Sequence, residues 1–269
     1  MKGEIGKRAV IELPPGSPPV DRFVVSVVSE GKGPAVRDKD WVTLGFSAKD
    51  WSSRTDLPST YDAGQAPQIY QLGSGRILGF DRALVGHRVG SRVLVIGSGS
   101  AAFGARASTG SAKMIAAVID IASTVHPDSS VVGKERQPAS GIPQVRGKGE
   151  RAEIAVPESA EPSQLLSHVL VEGSGPRVQP GQNILVQYSG FLWKSGKKFD
   201  SSWKRGGAVG FQIGTGRGMK AWDQGLVGRA VGSRLMLVAP PSFAYGDKPP
   251  RGVPAGSTVI FVIDILQAA

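Results

Sequence analysis

Not one cysteine occurs in the 269 residues, which excludes disulfides, a thiol nucleophile and any cysteine-ligated metal. Histidine is nearly absent too: His87, His126 and His168 lie far apart, and no pair has metal-ligand spacing. His168 has no acid or serine at triad spacing and reads as structural. No run of about 18 apolar residues occurs, so no segment reads as a membrane-spanning helix. Met1-Lys-Gly-Glu lacks the apolar core of a secretory signal, although a chain already trimmed of its leader would read the same. Also missing is any Lys/Arg run interleaved with aromatics. The 32 Lys+Arg exceed the 22 Asp+Glu by ten, but they stand singly among glycines. That argues against specific nucleic-acid binding and for a solvated cationic surface, one suited to an anionic envelope or membrane face.

Turn formers, in contrast, are abundant, with 37 Gly and 19 Pro. This composition suits many short strands joined by tight turns and excludes long helices. The chain also repeats itself. Gly31-Lys-Gly-Pro-Ala-Val36 matches Gly173-Ser-Gly-Pro-Arg-Val178, Trp51 matches Trp193, and Leu84-Val-Gly-His-Arg-Val-Gly-Ser-Arg92 matches Leu226-Val-Gly-Arg-Ala-Val-Gly-Ser-Arg234, all at a shift of 142. The lead recurs as well, Arg8-Ala-Val-Ile-Glu-Leu-Pro14 resembling Arg151-Ala-Glu-Ile-Ala-Val-Pro157. Two homologous domains are therefore expected, over 5–125 and 149–269. The stretch 126–148, rich in Pro, Ser, Gly and charge, reads as a linker.

In the first domain the expected strands are 9–13, 23–28 and 41–46, after a proline-rich lead. In the second they are 165–172, 183–188, 209–213, 234–238 and 258–266, separated by turn sequences such as Pro180-Gly and Gly214-Thr-Gly. The last is almost wholly apolar, as a central strand covered on both faces should be. The one plausible helix, 220–227, places Trp222 and Leu226 four apart on one buried face. The fold class is α+β, with each domain a curved antiparallel sheet wrapped around a short helix. Phe199, Phe211 and Trp222 are spaced too irregularly for one helix or strand, so they reach a common pocket only from separate elements. Alone, such aromatics are ordinary core, and Asp200 is an ordinary turn residue. Gly214-Thr-Gly-Arg-Gly218 mimics a phosphate loop but lacks the following Lys-Ser/Thr and the long helix.

The order of the motifs decides between these readings. Tyr188-Ser-Gly, Gly196-Lys-Lys-Phe-Asp-Ser-Ser202, Phe211-Gln-Ile-Gly214, Ala221-Trp-Asp-Gln-Gly225, Ala244-Tyr-Gly246, Val253-Pro254 and Val259-Ile-Phe261 follow one another through the second domain. In this the chain resembles the FKBP-type peptidyl-prolyl cis-trans isomerases. The resemblance implies an isomerase acting on proline-containing polypeptide clients during folding, without cofactor or metal, as a monomer open to macrolide inhibitors. It implies a pocket with Trp222 as floor, Tyr188, Phe199 and Phe261 as walls, and Val209, Phe211 and Val253 as rim. Asp200 would accept hydrogen bonds from Tyr188 and Arg205, while the Tyr245 hydroxyl and the Met219 backbone N–H would meet ligand carbonyls. The tandem form with a proline-rich lead resembles secreted or lipid-anchored bacterial members, so an extracytoplasmic location is expected, with a cytoplasmic one as the alternative.

Departures from the family pattern are concentrated in the first domain. There Phe46 stands for the first Tyr, Tyr61-Asp62 for Phe-Asp, Phe80 for Trp, Phe103 for the Tyr of Ala-Tyr-Gly and Ala117 for the last-strand Phe. The loop at 104–113 has no Val-Pro pair. This domain is expected to be weak or inactive, a binding or spacing module. In the second domain Gly218-Met219 replaces Val-Ile, Ala221 replaces Gly, and the loop from Tyr245 to Val253 is about one residue short. The alternative for the whole chain is a non-catalytic chaperone or adaptor that holds proline-containing segments.

Overall fold

The computed structural model describes residues 2–18, 23–74, 78–99, 113–136 and 138–269. The chain divides into two compact units, 1–126 and 127–268. The first contains β1 (Val24–Ser29), β2 (Trp41–Asp50), β3 (Asp56–Leu57), β4 (Gln68–Gln71), α1 (Leu78–Leu84), β5 (Arg92–Ser98) and β6 (Met114–Val125). Its six-stranded antiparallel sheet runs β1-β5-β6-β2-β3, with β4 paired to β2. After a small hairpin of β7 (Gln144–Arg146) and β8 (Glu153–Ala155), the second unit repeats the plan. It has β9 (Leu166–Val171), β10 (Asn183–Leu192), β11 (Lys198–Ser201), β12 (Val209–Gln212), α2 (Lys220–Leu226), β13 (Arg234–Ala239) and β14 (Val259–Ala268). The order is β11-β10-β14-β13-β9, with β12 paired to β10. The 142-residue shift carries β1 onto β9, β2 onto β10 and α1 onto α2.

Strand alternation explains how each sheet is covered on two sides. In the second unit Leu235 and Leu237 of β13, with Phe261, Ile263 and Ile265 of β14, join the core beneath α2. Met236, Val238, Ile260 and Val262 point the other way and pack with Phe191, Trp193 and Val145 of the β7–β8 hairpin. β14 is central and buried over its first seven residues, in line with its apolar sequence. α2 has only seven residues, far short of the length at which an isolated helix holds together in water. Burial of Ala221, Gly225 and Leu226 holds it to the sheet.

Three expectations change. The stretch 126–148 is not a free linker: Pro127 O accepts from Gln187 Nε2, Val131 N donates to Asp264 and Arg136 N to Leu170 O. The second unit thus begins near Pro127. Its composition hid this, because the stretch is held by backbone groups and a few buried side chains, without periodicity. Residues 9–13 form no strand; Val10 makes an isolated bridge to Lys2, and Ala9 and Ile11 are buried against Trp51. Finally, Tyr61-Asp62 does not occupy the place of Phe199-Asp200. Tyr61 turns to the opposite face and donates to Asp120 at 2.6 Å, and Asp62 pairs with Arg8. Phe103 and the loop at 104–112 lie outside the described residues.

Both units bury an arginine–aspartate pair on the face away from the helix. Arg92 Nε and Nη2 donate to Asp120 at 2.6 and 2.7 Å, and the guanidinium also binds the carbonyls of Gly3, Glu4 and Lys7. Arg234 grips Asp264 at 2.6 and 2.8 Å, and binds Glu135 and Val131 O. In each case the pair ties a leading segment to the sheet. Burial pushes the Asp120 carboxyl up, but Arg92, Tyr61 and the Gly6 N–H outweigh it and hold it below its ordinary value. A carboxyl lowered on folding adds stability that is complete above its unfolded value, about 3.9, and is lost as pH falls through the folded one. Hydrogen exchange in residues 92–98 and 114–125, corrected for intrinsic rates, is therefore expected to accelerate below about pH 4. Asp120→Asn, which leaves Arg92 buried without its countercharge, should cost about 3–5 kcal/mol and flatten that acid dependence. Unchanged protection in the variant would refute the clamp.

Candidate functional site

The site is assembled from five pieces of chain that the second sheet brings to one face. β10 supplies Tyr188, the bulged β11 Phe199 and Asp200, β12 Phe211, α2 Trp222 and β14 Phe261. Trp222 lies 5.0 Å from Tyr188, 5.1 Å from Phe211 and 5.5 Å from Phe261 between ring centroids. The contacts with Tyr188 and Phe261 are near-perpendicular, at 76° and 87°, as ring quadrupoles favour. Phe199 meets Phe261 at 6.0 Å and Tyr245 at 6.2 Å. Together they leave an open cavity of about 390 Å³, lined by Tyr188, Phe211, Gln212, Arg217, Gly218, Met219, Trp222, Asp223, Tyr245 and Phe261.

Six of the residues singled out from sequence line this cavity: Tyr188, Phe211, Met219, Trp222, Tyr245 and Phe261. The other five stand behind or beside it. Phe199 backs Tyr245 and Phe261. Val209, paired with Val186, and Val253 belong to the core under the rings. Asp200 accepts from Tyr188 Oη at 2.6 Å and pairs with Arg205 at 3.1 Å, and the Arg205 guanidinium lies 5.5 Å above the Tyr188 ring. This fixes the tilt of Tyr188. Burial pushes the Asp200 carboxyl up, while the Ser201 N–H draws it back down. Burial, then the Asp200 charge, also raises the Tyr245 phenol against the opposing pull of Arg205, so its hydroxyl stays protonated at neutral pH. The Trp222 indole N–H is buried with no acceptor among the described residues.

Four lining residues, Gln212, Arg217, Gly218 and Asp223, are not among those singled out from sequence. Three of them are held by or within the loop before α2. Asp223 accepts from Gly214 N and Gly216 N, both at 2.8 Å, and so ties that loop to the helix. The glycine-rich run was the available signal; read against a phosphate loop, it says nothing about a pocket rim.

The first unit carries the same frame with smaller contents. Register puts Ala117 opposite Ala48, as Phe261 stands opposite Gly190, and Leu57 opposite Ala48 where Asp200 faces Gly190. Phe80 takes the helix position of Trp222 and meets Tyr70, the counterpart of Phe211, at 6.1 Å. No carboxylate stands where Asp200 does.

Residues 175–266 match the family described as FKBP-type peptidyl-prolyl cis-trans isomerase. An FK506-binding protein of Streptomyces anulatus is 40% identical over 119 residues, covering 44% of this chain and 96% of that protein. A probable FK506-binding protein of Corynebacterium glutamicum is 34% identical over 120 residues, 44% of this chain and 99% of that one. The peptidyl-prolyl cis-trans isomerase FPR2 of Saccharomyces cerevisiae is 37% identical over 104 residues, 38% of this chain and 77% of that one.

The two phenylalanines close together because Gly190 has no side chain between them. A Cβ there would lie 2.8 Å from Phe199 Cζ and 3.1 Å from Phe261 Cε1. Gly190→Ala is expected to push the Phe199 ring outward and to destabilise the second unit by about 1–3 kcal/mol. Ring-proton NMR shifts and a denaturant titration check this; unchanged Phe199 resonances would show that the wall does not depend on the glycine.

Proposed function

This chain belongs to the FKBP-type peptidyl-prolyl cis-trans isomerase family and is a peptidyl-prolyl isomerase; we propose that the ring-lined cavity of the second unit carries its turnover. The supporting observation is that six side chains from separate elements, the half-buried Trp222 among them, enclose an open, largely apolar space. Rotation about a peptide bond is opposed by about 18–20 kcal/mol because conjugation must be broken, and X-Pro bonds interconvert unaided in roughly 10–100 s. The twisted amide is less dipolar than the planar one. A pocket that withholds water therefore disfavours the planar state relative to the transition state, and each 1.4 kcal/mol gained is about tenfold in rate. No nucleophile or proton transfer is required.

In this reading the proline ring rests on Trp222 between Tyr188 and Phe261. Asp200 and Arg205 keep Tyr188 in position, Phe199 supports the wall, Phe211 shapes the rim, and Val209 and Val253 pack beneath the rings. The Tyr245 hydroxyl and the Met219 N–H donate to substrate carbonyls. Because two of the relatives are named for binding FK506, we assign macrolide binding to the same cavity. For the first unit we propose a holding or spacing role, since Ala48, Leu57 and Ala117 replace the glycine, the carboxylate and a ring.

In an X-Pro isomerisation assay, full-length protein should accelerate exchange, Tyr245→Phe should lower kcat/KM about three- to tenfold, and Trp222→Leu should bring it near background. Those losses correspond to roughly 0.6 to 1.4 kcal/mol for the hydroxyl and more for the floor. Strong residual turnover in Trp222→Leu would assign activity to the first unit. Background rates in the unaltered protein, with peptide binding retained, would make it a non-catalytic binder.

A further inference from the structure

Among the residues that line the cavity, five of them aromatic, one is a cation, Arg217, on the loop between β12 and α2. Its position is set by the chain on both sides. Gly214 and Gly216 are tied to Asp223, and Gly218 and Met219 line the cavity directly after it. The acids that could neutralise Arg217 are engaged elsewhere: Asp223 holds the two glycine N–H groups, and Asp200 holds Tyr188 and Arg205. No carboxylate pairs with Arg217 among the described residues. The neighbourhood adds charge of the same sign. Lys220 opens α2, and the turn after Tyr245 carries exposed Lys248 and Arg251 against a single exposed acid, Asp247. A chain with a net charge of +10 thus presents an unneutralised guanidinium inside the mouth of its one described aromatic cavity.

We propose that Arg217 is a specificity residue, and that it selects substrates carrying Asp or Glu next to the isomerised proline. This rests on the isomerase reading of the cavity. A planar guanidinium at the rim meets a carboxylate through two parallel N–H donors, while a lysine at the same substrate position is repelled. Between exposed groups such a pair is worth up to about 1 kcal/mol, or about fivefold in kcat/KM. Lys220, Lys248 and Arg251 add a longer-range attraction for the same substrates, one that salt screens.

Full-length protein can be tested by NMR exchange spectroscopy on two peptide sets, with Glu, Leu or Lys either just before or just after the proline. In at least one set kcat/KM for the Glu peptide should exceed that for the Lys peptide about fivefold at low salt. That ratio should approach one in Arg217→Gln, invert in Arg217→Glu, and shrink at about 0.5 M salt as screening grows. Reading a ratio within each protein cancels any general loss of turnover in a variant. Ratios near one in both sets, or a preference that survives Arg217→Glu, would overturn the selector while leaving the isomerase intact. Absence of turnover on every peptide would overturn both.

Discussion

The architecture of the site depends on one close approach, that of two phenylalanine rings across a strand residue with no side chain. Gly190 lets Phe199 and Phe261 meet over β10, and Phe261 in turn closes on Trp222. α2 is too short to stand alone, so these ring contacts, with Leu226 and Ala221 beneath, hold it in place. Each aromatic pair contributes about 0.5–1.5 kcal/mol beyond its buried area. The floor, the wall and the helix therefore support one another, and none of the three is an independent part.

The two units show which half of the design tolerates change. Both retain the buried arginine–aspartate grip, a leading segment tied across the back, and an aspartate one residue after the helix aromatic that binds loop amides. On the helix side, however, the positions of Gly190, Asp200, Trp222 and Phe261 are taken in the first unit by Ala48, Leu57, Phe80 and Ala117. The frame needs charge pairing and alternation to fold. The pocket needs particular ring sizes, and it is the pocket that differs. Tyr61 illustrates how the frame adapts. It reaches Asp120 past Gly45, whereas the second unit has Gln187 in place of that glycine and joins it to Ser202 and Pro127 O.

Much of this was legible in the amino-acid order. The repeat was visible as matched turn sequences, the central strand as an unbroken apolar run, and the helix as the Trp222–Leu226 pair. These features express backbone and burial rules that act over a few residues. Four features were not legible. β11 is four residues long with a bulge, too short to show alternation. β10 runs on to Leu192 through Ser189 and Gly190, whose side chains carry no apolar signal. The segment from Pro127 to Glu135 is fixed by a main-chain acceptor, a main-chain donor and one ion pair, which composition does not register. Tyr61-Asp62 matches Phe199-Asp200 by residue type alone, and only strand pairing shows that Leu57 stands where Asp200 does.

Of the five tryptophans, Trp222 is the one that lines the cavity, while Trp51 and Trp193 are sealed on the opposite faces of their sheets. Its counterpart in the first unit is Phe80, which scarcely fluoresces beside an indole. Anything seated in the cavity must displace water from around the Trp222 ring and alter its emission colour and quenching. The molecule thus carries a built-in optical gauge that reports occupancy of one unit and is blind to the corresponding face of the other.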